Sequence, residues 1–269
     1  MPRMPNIYLE AQYQGRLWTP AVLRQEAWFD GSDLSTIIIA TGVSEWRDKT
    51  GKGRTAAQTT TTRQPTLVSN TPNGLSAISF DGSDDYMVTT SGSYAAVNYF
   101  IAATRCADTS SGTNDAYLAC RSSLAFRGAA SDISMIIAQN NTSGTNIGNS
   151  AANSTYAELN GTAVASLTNW NDFNTFSPFP VAVGEWLTID HAISATSSGT
   201  KVFTIGADIV DPSLYGERAV QSVIGEILIF ASELSLPQKR AMQGYLAWKW
   251  GFRLAADHPF ANRPPLIGD

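Results

Sequence analysis

The segment Gly225–Phe252, GEILIFASELSLPQKRAMQGYLAWKWGF, limits the architecture of this chain more than any other. In its first part Ile227 and Ile229 alternate with Leu228 and Phe230, so both faces of an extended strand are apolar. Such a strand belongs in the middle of a sheet that is covered on both sides. The second part reads as a helix. Ser235 fits an N-cap with Gln238 three residues on, and Pro237 is tolerated in the first turn. Ala241, Met242, Tyr245, Leu246 and either Trp248 or Lys249 then recur at helical spacing, and Gly251 stands where a left-handed glycine ends a helix. The spacing predicts one short amphipathic helix from about Ser235 to Trp250, packed beside the sheets over an edge or end.

The rest of the chain predicts strands. Apolar or alternating runs lie at 75–80, 86–90, 97–104, 116–120, 123–127, 133–138, 185–194, 200–207 and 223–230, separated by Gly, Ser, Asn and Asp turns. Val, Ile, Phe, Tyr and Thr are concentrated in them, as half-buried pleated surfaces favour. LSAISF and YMVTT flank DGSD, which reads as a hairpin. Many short strands without alternating helices predict a two-sheet antiparallel sandwich, mainly β, with one helix near the C-terminus.

Only 15% of the 269 residues are charged, against a usual quarter, and the net charge is 18 − 23 = −5. A weakly charged, acidic surface excludes general attraction to nucleic acid or anionic membranes. The opening MPRMPNIYLEAQYQG lacks the apolar core of a secretory signal, and runs such as TIIIA are too short to span a bilayer. Synthesis in a cytoplasm is therefore expected. Without export, free thiols are preferred for Cys106 and Cys120, although their spacing would allow a closed loop. Glycosylation of the sequons at Asn140, Asn141, Asn153 and Asn160 is not expected for the same reason.

Several segments form an ordered set: AWFDGSDLSTI (27–37), VSEWRDKTGKGRTAAQ (43–58), QPTL (64–67), NGLSAISFDGSDDYM (73–87), IGEILIFASELSLPQKRAMQGYLAWKWGF (224–252) and LAADHPFANRPP (254–265). The set resembles the concanavalin A-like, LamG-type jelly-roll domains of tailed-phage virion proteins, over about residues 25–265. The resemblance implies a jelly-roll domain over 25–269 and a place in a virion assembled in a bacterial cytoplasm. Residues 1–24 precede the motifs. They read either as an arm lying on a neighbouring protein or as an extra edge strand. The stretch Cys106–Gly184 carries none of the motifs, and specificity is expected there.

Candidate chemistry is sparse. DGSD occurs at 30–33 and 81–84, where oxygen-rich loops can hold calcium, but Asp, Gly and Ser are also ordinary turn residues, and the turn reading is preferred. A glycosidase needs two carboxylates beside the scissile bond. Glu226 stands alone in its strand, and Glu185 and Asp190, five apart, face opposite sides of theirs. No catalytic residue, metal ligand or cofactor site is therefore assigned. The loop LTNWNDFNTFSPFP offers Trp170, Asn171, Asp172, Phe173 and Phe176 as contacts for a glycan, or for another protein subunit. The expected role is a non-enzymatic structural protein, in capsid decoration or in a tail or fibre, adhering to other virion proteins or to copies of itself. Attachment to a host surface polysaccharide is the alternative, and glycoside hydrolysis stands third.

Overall fold

The computed structural model describes residues 16–90, 92–93, 98–104, 114–121, 133–140, 146–148, 154–163, 171–172, 185–193, 200–207 and 219–269. Among them the strands are β1 (Gln25–Asp30), β2 (Ile37–Ile39), β3 (Val43–Arg47), β4 (Thr55–Ala57), β5 (Thr66–Val68) and β6 (Ala77–Asp81). There follow β7 (Met87–Thr89), β8 (Gly92–Ser93), β9 (Asn98–Thr104), β10 (Asn114–Arg121), β11 (Ile133–Asn140) and β12 (Asn146–Gly148). The last are β13 (Ser154–Leu159), β14 (Thr162–Ala163), β15 (Asn171–Asp172), β16 (Trp186–Ile193), β17 (Thr200–Ile205) and β18 (Gln221–Phe230). One α-helix, α1 (Leu236–Trp250), follows them.

These strands make two antiparallel sheets. The first runs β14-β13-β16-β9-β18-β6-β5, with β1 also paired to β18. The second runs β15-β12-β11-β10-β17-β7-β4-β3-β2, with β8 also paired to β17. Strand β18 is the axis of the first sheet. β9 pairs with it from Ile224 to Phe230. Along its length β6 takes Gln221–Ile224 and β1 takes Glu226–Phe230.

The apolar residues of both faces of β18 are buried, as its sequence predicts. Ile227 and Ile229 join the core between the sheets, where Phe29, Trp46, Phe80, Tyr99, Ile101 and Phe203 also pack. Phe29 meets Trp46 edge-on at 5.7 Å between ring centroids, and Tyr99 meets Phe203 at 6.4 Å, each pair crossing from one sheet to the other. Leu228 and Phe230 point the opposite way, into a second apolar layer with Phe100, Met242, Leu246, Trp250 and Phe260. The helix thus covers the outer face of the first sheet, not an edge.

Its ends follow the sequence. The Gln238 side chain accepts a hydrogen bond from the Ser235 backbone N–H at 3.0 Å. Gly251 takes the left-handed conformation at φ 79°, and its N–H donates to the Ala247 carbonyl. The Asn73 side-chain amide, brought in before β6, donates to the carbonyls of Trp248 and Lys249 and closes the last turn.

The expected hairpin at DGSD does not form. β6 pairs with β5 and β18 in the first sheet, whereas β7 pairs with β17 and β4 in the second. The loop steps between layers. Asp81 Oδ1 accepts from the backbone N–H groups of Ser83, Asp84 and Asp85, and Gly82 sits at φ 79° against Gln221, where a Cβ would lie 2.7 Å from the Gln221 side chain. Two short strands joined by a tight turn carry no local sign of which sheet each will join.

Residues 1–15 of the expected arm lie outside the described residues. Residues 16–24 pack on their own chain: Leu17 bridges Leu266, Trp18 N–H donates to the Pro265 carbonyl, and the Trp18 ring meets Tyr245 of the helix at 6.2 Å. No helix among the described residues is long and apolar enough to cross a membrane.

Candidate functional site

Two carboxylate pairs stand on the face of the first sheet that the helix covers. Asp30 of β1 is the cross-strand partner of Glu226 of β18, and Glu158 of β13 is the partner of Asp190 of β16. All four side chains are buried. Like charges placed directly opposite each other destabilise a sheet unless something bridges them. In both cases side chains of α1 do so.

In the first pair Lys249 reaches down from the last turn. Its Nζ lies 2.8 Å from Asp30 Oδ1 and 2.8 Å from Glu226 Oε2. Glu226 also accepts from Trp28 Nε1 at 2.6 Å, Tyr245 OH at 3.0 Å and Trp250 Nε1 at 2.9 Å. Asp30 Oδ2 takes a second cation, Lys49 Nζ, at 2.9 Å, and Lys49 lies over the Trp28 ring at 4.6 Å from its centroid. Lys49 also reaches Asp33 Oδ2 at 3.1 Å, so two lysines face three carboxylates, two of them buried, in a site walled by indoles. Burial by itself would raise Asp30, but the Lys249 and Lys49 charges and the hydrogen bonds outweigh it and hold the carboxyl at about 2. Burial also raises Glu226, and there it prevails over Lys249. Tyr245 is pushed well up, by burial first and then by the charges of Glu226 and Asp30, and stays a phenol that donates.

In the second pair the bridge is mainly an amide. Gln243 Nε2 donates to Glu158 Oε2 at 2.7 Å and to Asp190 Oδ2 at 3.0 Å. Arg240 grips Glu158 through both terminal nitrogens, and Asn98 Nδ2 donates to Asp190 Oδ1 at 2.9 Å. Asp190 is raised to about 7, by burial first and with the Glu158 charge adding to it, against the hydrogen bonds and the more distant Lys239. His258 Nε2 stands 3.0 Å from Gln243 Oε1 and is lowered to about 4 by burial and by Arg240. Both pairs can fasten the helix to the sheet. Neither stands open to a substrate, because the helix lies over them.

The two DGSD copies differ. In the first, Asp30 and Asp33 bond Ser32 and Ser35 as turn residues do, and Asp30 in addition holds the two lysines. In the second, the carboxylates of Asp81, Asp84 and Asp85 come within 4.8 Å of one another. That is an oxygen-only set of the kind hard cations take. The third carboxylate, Asp85, follows the motif directly. Burial, with the Asp81 charge next, raises Asp85 to about 6.

Of the contact residues expected from the sequence, Trp170, Phe173 and Phe176 lie outside the described residues. Asn171 and Asp172 form β15, paired with Asn146 and Ile147 of β12 at one edge of the second sheet. Cys106 lies outside as well, while Cys120 belongs to β10, between Met135 of β11 and Phe203 of β17. Among the sequons, Asn160 is buried in a turn at φ 49°, its side chain accepting from the Thr188 N–H at 2.9 Å. Sequence reading left Glu226 alone in its strand and set Asp190 beside Glu185 alone, on the opposite face. It missed their partners Asp30 and Glu158, which only the strand register brings opposite.

No protein-family model and no curated protein matches the chain. Among solved structures it is similar to a Trypanosoma rangeli sialidase in complex with 2,3-difluorosialic acid, at 12% identity and a TM-score of 0.41, over 78% of this chain and 31% of that one. It is also similar to a carbohydrate esterase from the Shiga toxin-encoding bacteriophage phi24B, at 9% identity and a TM-score of 0.35, over 77% and 97% of the two chains. The chain thus spans under a third of the sialidase. Likenesses at this level assign no chemistry to it. What the structure defines is the class: a mainly β protein whose described residues form two antiparallel sheets with one α-helix closed over the first.

Proposed function

We propose that the chain is a non-enzymatic structural module of a phage particle, a concanavalin A-like jelly roll that adheres to other virion proteins or to copies of itself. The observation that supports this reading is where the motif residues go. Trp28, Asp30, Lys49, Asn73, Glu226 and Lys249 all come from the motif segments; all but Asn73 are engaged in tying β1, β18 and the helix together, and Asn73 fastens the end of the helix to the segment before β6. Buried groups committed to one another make a scaffold, and a scaffold hosts whatever contact its variable segments supply. The carboxylate pairs a glycosidase would need are closed under α1, which also favours adhesion over turnover.

The test is to raise antibodies to the purified chain and label purified particles made by the genome that encodes it. Labelling at regular sites, with rebinding of the purified chain to particles lacking it, is the expected result. Absence of the chain from particles would remove the proposal. The composition of the loop at 167–180, with aromatic rings among amides, favours glycan attachment as the second reading. Saturable binding on a carbohydrate array, lost on combining Trp170→Ala and Phe173→Ala, would put that reading first.

A further inference from the structure

We propose that the cluster around Lys249 is a self-modification site, in which the Lys249 amine condenses with the Asp30 carboxyl to form an internal amide, with Glu226 carrying the protons. Three observations point there. The nucleophile, the carboxyl and a proton acceptor meet directly, with Lys249 Nζ 2.8 Å from both Asp30 Oδ1 and Glu226 Oε2. Water is kept out: Glu226 and Trp250 are wholly buried, and Asp30 is 2% and Lys249 7% exposed. Lastly, Lys49 Nζ sits 2.9 Å from Asp30 Oδ2, where negative charge would develop during attack.

The step balances without an outside reagent. The Lys249 ammonium gives one proton to Glu226, freeing the nitrogen lone pair. Glu226 passes that proton to Asp30 Oδ1, and the lone pair attacks Cγ of the now neutral carboxyl and forms the C–N bond, while the single negative oxygen Oδ2 of the tetrahedral centre faces the Lys49 ammonium. Glu226 then takes the second proton from the nitrogen and passes it to Oδ1. The C–Oδ1 bond breaks, water leaves, and Glu226 returns to its starting state. An ammonium and a carboxylate have become an amide and one water.

Two forces favour the reaction. Groups held in contact react as if at effective concentrations on the order of 10⁵–10⁸ M. Condensation also removes two charges from a desolvated site, while Lys49 keeps Asp33 as a partner at 3.1 Å and Glu226 keeps the hydrogen bonds from Trp28, Tyr245 and Trp250. The low Asp30 pKa means that the ion pair is the resting state, so the bond forms slowly, after folding. Trp28, Trp250 and Tyr245 act as positioning residues, since each donates to Glu226 and fixes where its oxygens lie.

The experiment is intact mass spectrometry of the full folded chain after prolonged incubation, denatured only for measurement. The expected mass is one water below that of the sequence. Trypsin should leave Lys249 uncut and release a branched peptide joining 25–47 to 241–253. Lys249→Arg, which keeps the charge but lacks the reactive amine, should show the full mass and only linear peptides. Asp30→Asn, if it reacts, should lose ammonia in place of water. Wild-type chain at full mass with both peptides linear overturns the proposal, whether or not any variant folds. A branched peptide that persists in Glu226→Gln overturns the role given to Glu226.

Discussion

The indole of Trp250 lies flat on that of Trp186, with ring centroids 5.1 Å apart and planes inclined by 6°. The stack joins the last turn of the helix to β16, and Gly225 of β18 makes room for it. A Cβ at Gly225 would lie 2.7 Å from Trp250 ring atoms and 2.8 Å from Trp186. Gly225→Ala should therefore lower the melting temperature although it adds a single carbon. Trp250→Ala should cost about 3–5 kcal/mol, the usual range for a wholly buried aromatic. Trp248, half-buried and held through Nε1 to the Phe260 carbonyl at 2.8 Å, should cost less. Equal losses in both tryptophan variants on thermal denaturation would contradict this account.

Removing Lys249 exposes what it hides. In Lys249→Met the apolar stem survives, but Asp30 and Glu226 then face each other with Lys49 as the nearest cation. Breaking a buried pair from one side costs about 3–5 kcal/mol. Urea denaturation should show a lower midpoint with an unchanged slope. A midpoint within error of wild type would mean that the site is solvated.

The two pairs should respond to pH with opposite signs. Asp190 is raised to about 7 from 3.8, so between these values the unfolded chain ionises while the folded one keeps its proton. Stability at this site therefore falls as pH rises from about 4 to 7 and stays low above that. Asp190→Asn should gain on wild type across that window. Asp30 is lowered to about 2, so its contribution is present above about pH 4 and lost as pH falls toward 2. Asp30→Asn should be the poorer variant at neutral pH and approach wild type in acid. Parallel pH profiles for the two variants would refute both assignments.

Asp85 offers a gentler test. It is raised to about 6 by burial and then by the Asp81 charge. Its Oδ2 accepts from the Asp81 N–H at 3.1 Å, a bond that an asparagine oxygen can keep. Asp85→Asn should raise the melting temperature most at pH 8, less at pH 5, which lies inside the window from about 4 to 6 where wild-type stability falls, and little at pH 3. A loss at pH 8 would mean that the charge is needed there, as it would be for holding a cation.

Parity along one strand made much of this fold legible. The alternation in β18 announced a sheet covered on both faces, and Ser235 and Gly251 marked the ends of the helix. The buried face of that helix was harder to see, because Lys239, Gln243 and Lys249 lie on it among apolar residues and blur the period. The opposition of Asp30 to Glu226 had no local sign. It depends on register between segments nearly two hundred positions apart, and no spacing rule reaches that far. The separation of β6 from β7 was hidden for a related reason: a four-residue turn looks the same whether the chain doubles back or changes layer.

The position of β18 late in the sequence governs how the protein is made. The strand pairs with β9, β6 and β1, all of which leave the ribosome long before it does. Until residue 230 emerges, β9 has an open edge, and until residue 250 emerges the outer layer of Phe100 and Leu228 has no cover. Contacts between such distant segments form slowly. The edges of β1, β6 and β9 that β18 will take must therefore wait, open and prone to join neighbouring chains, until late in translation. Slow codons before β18 would lengthen that exposure, and a nonsense fragment ending before it would never escape it.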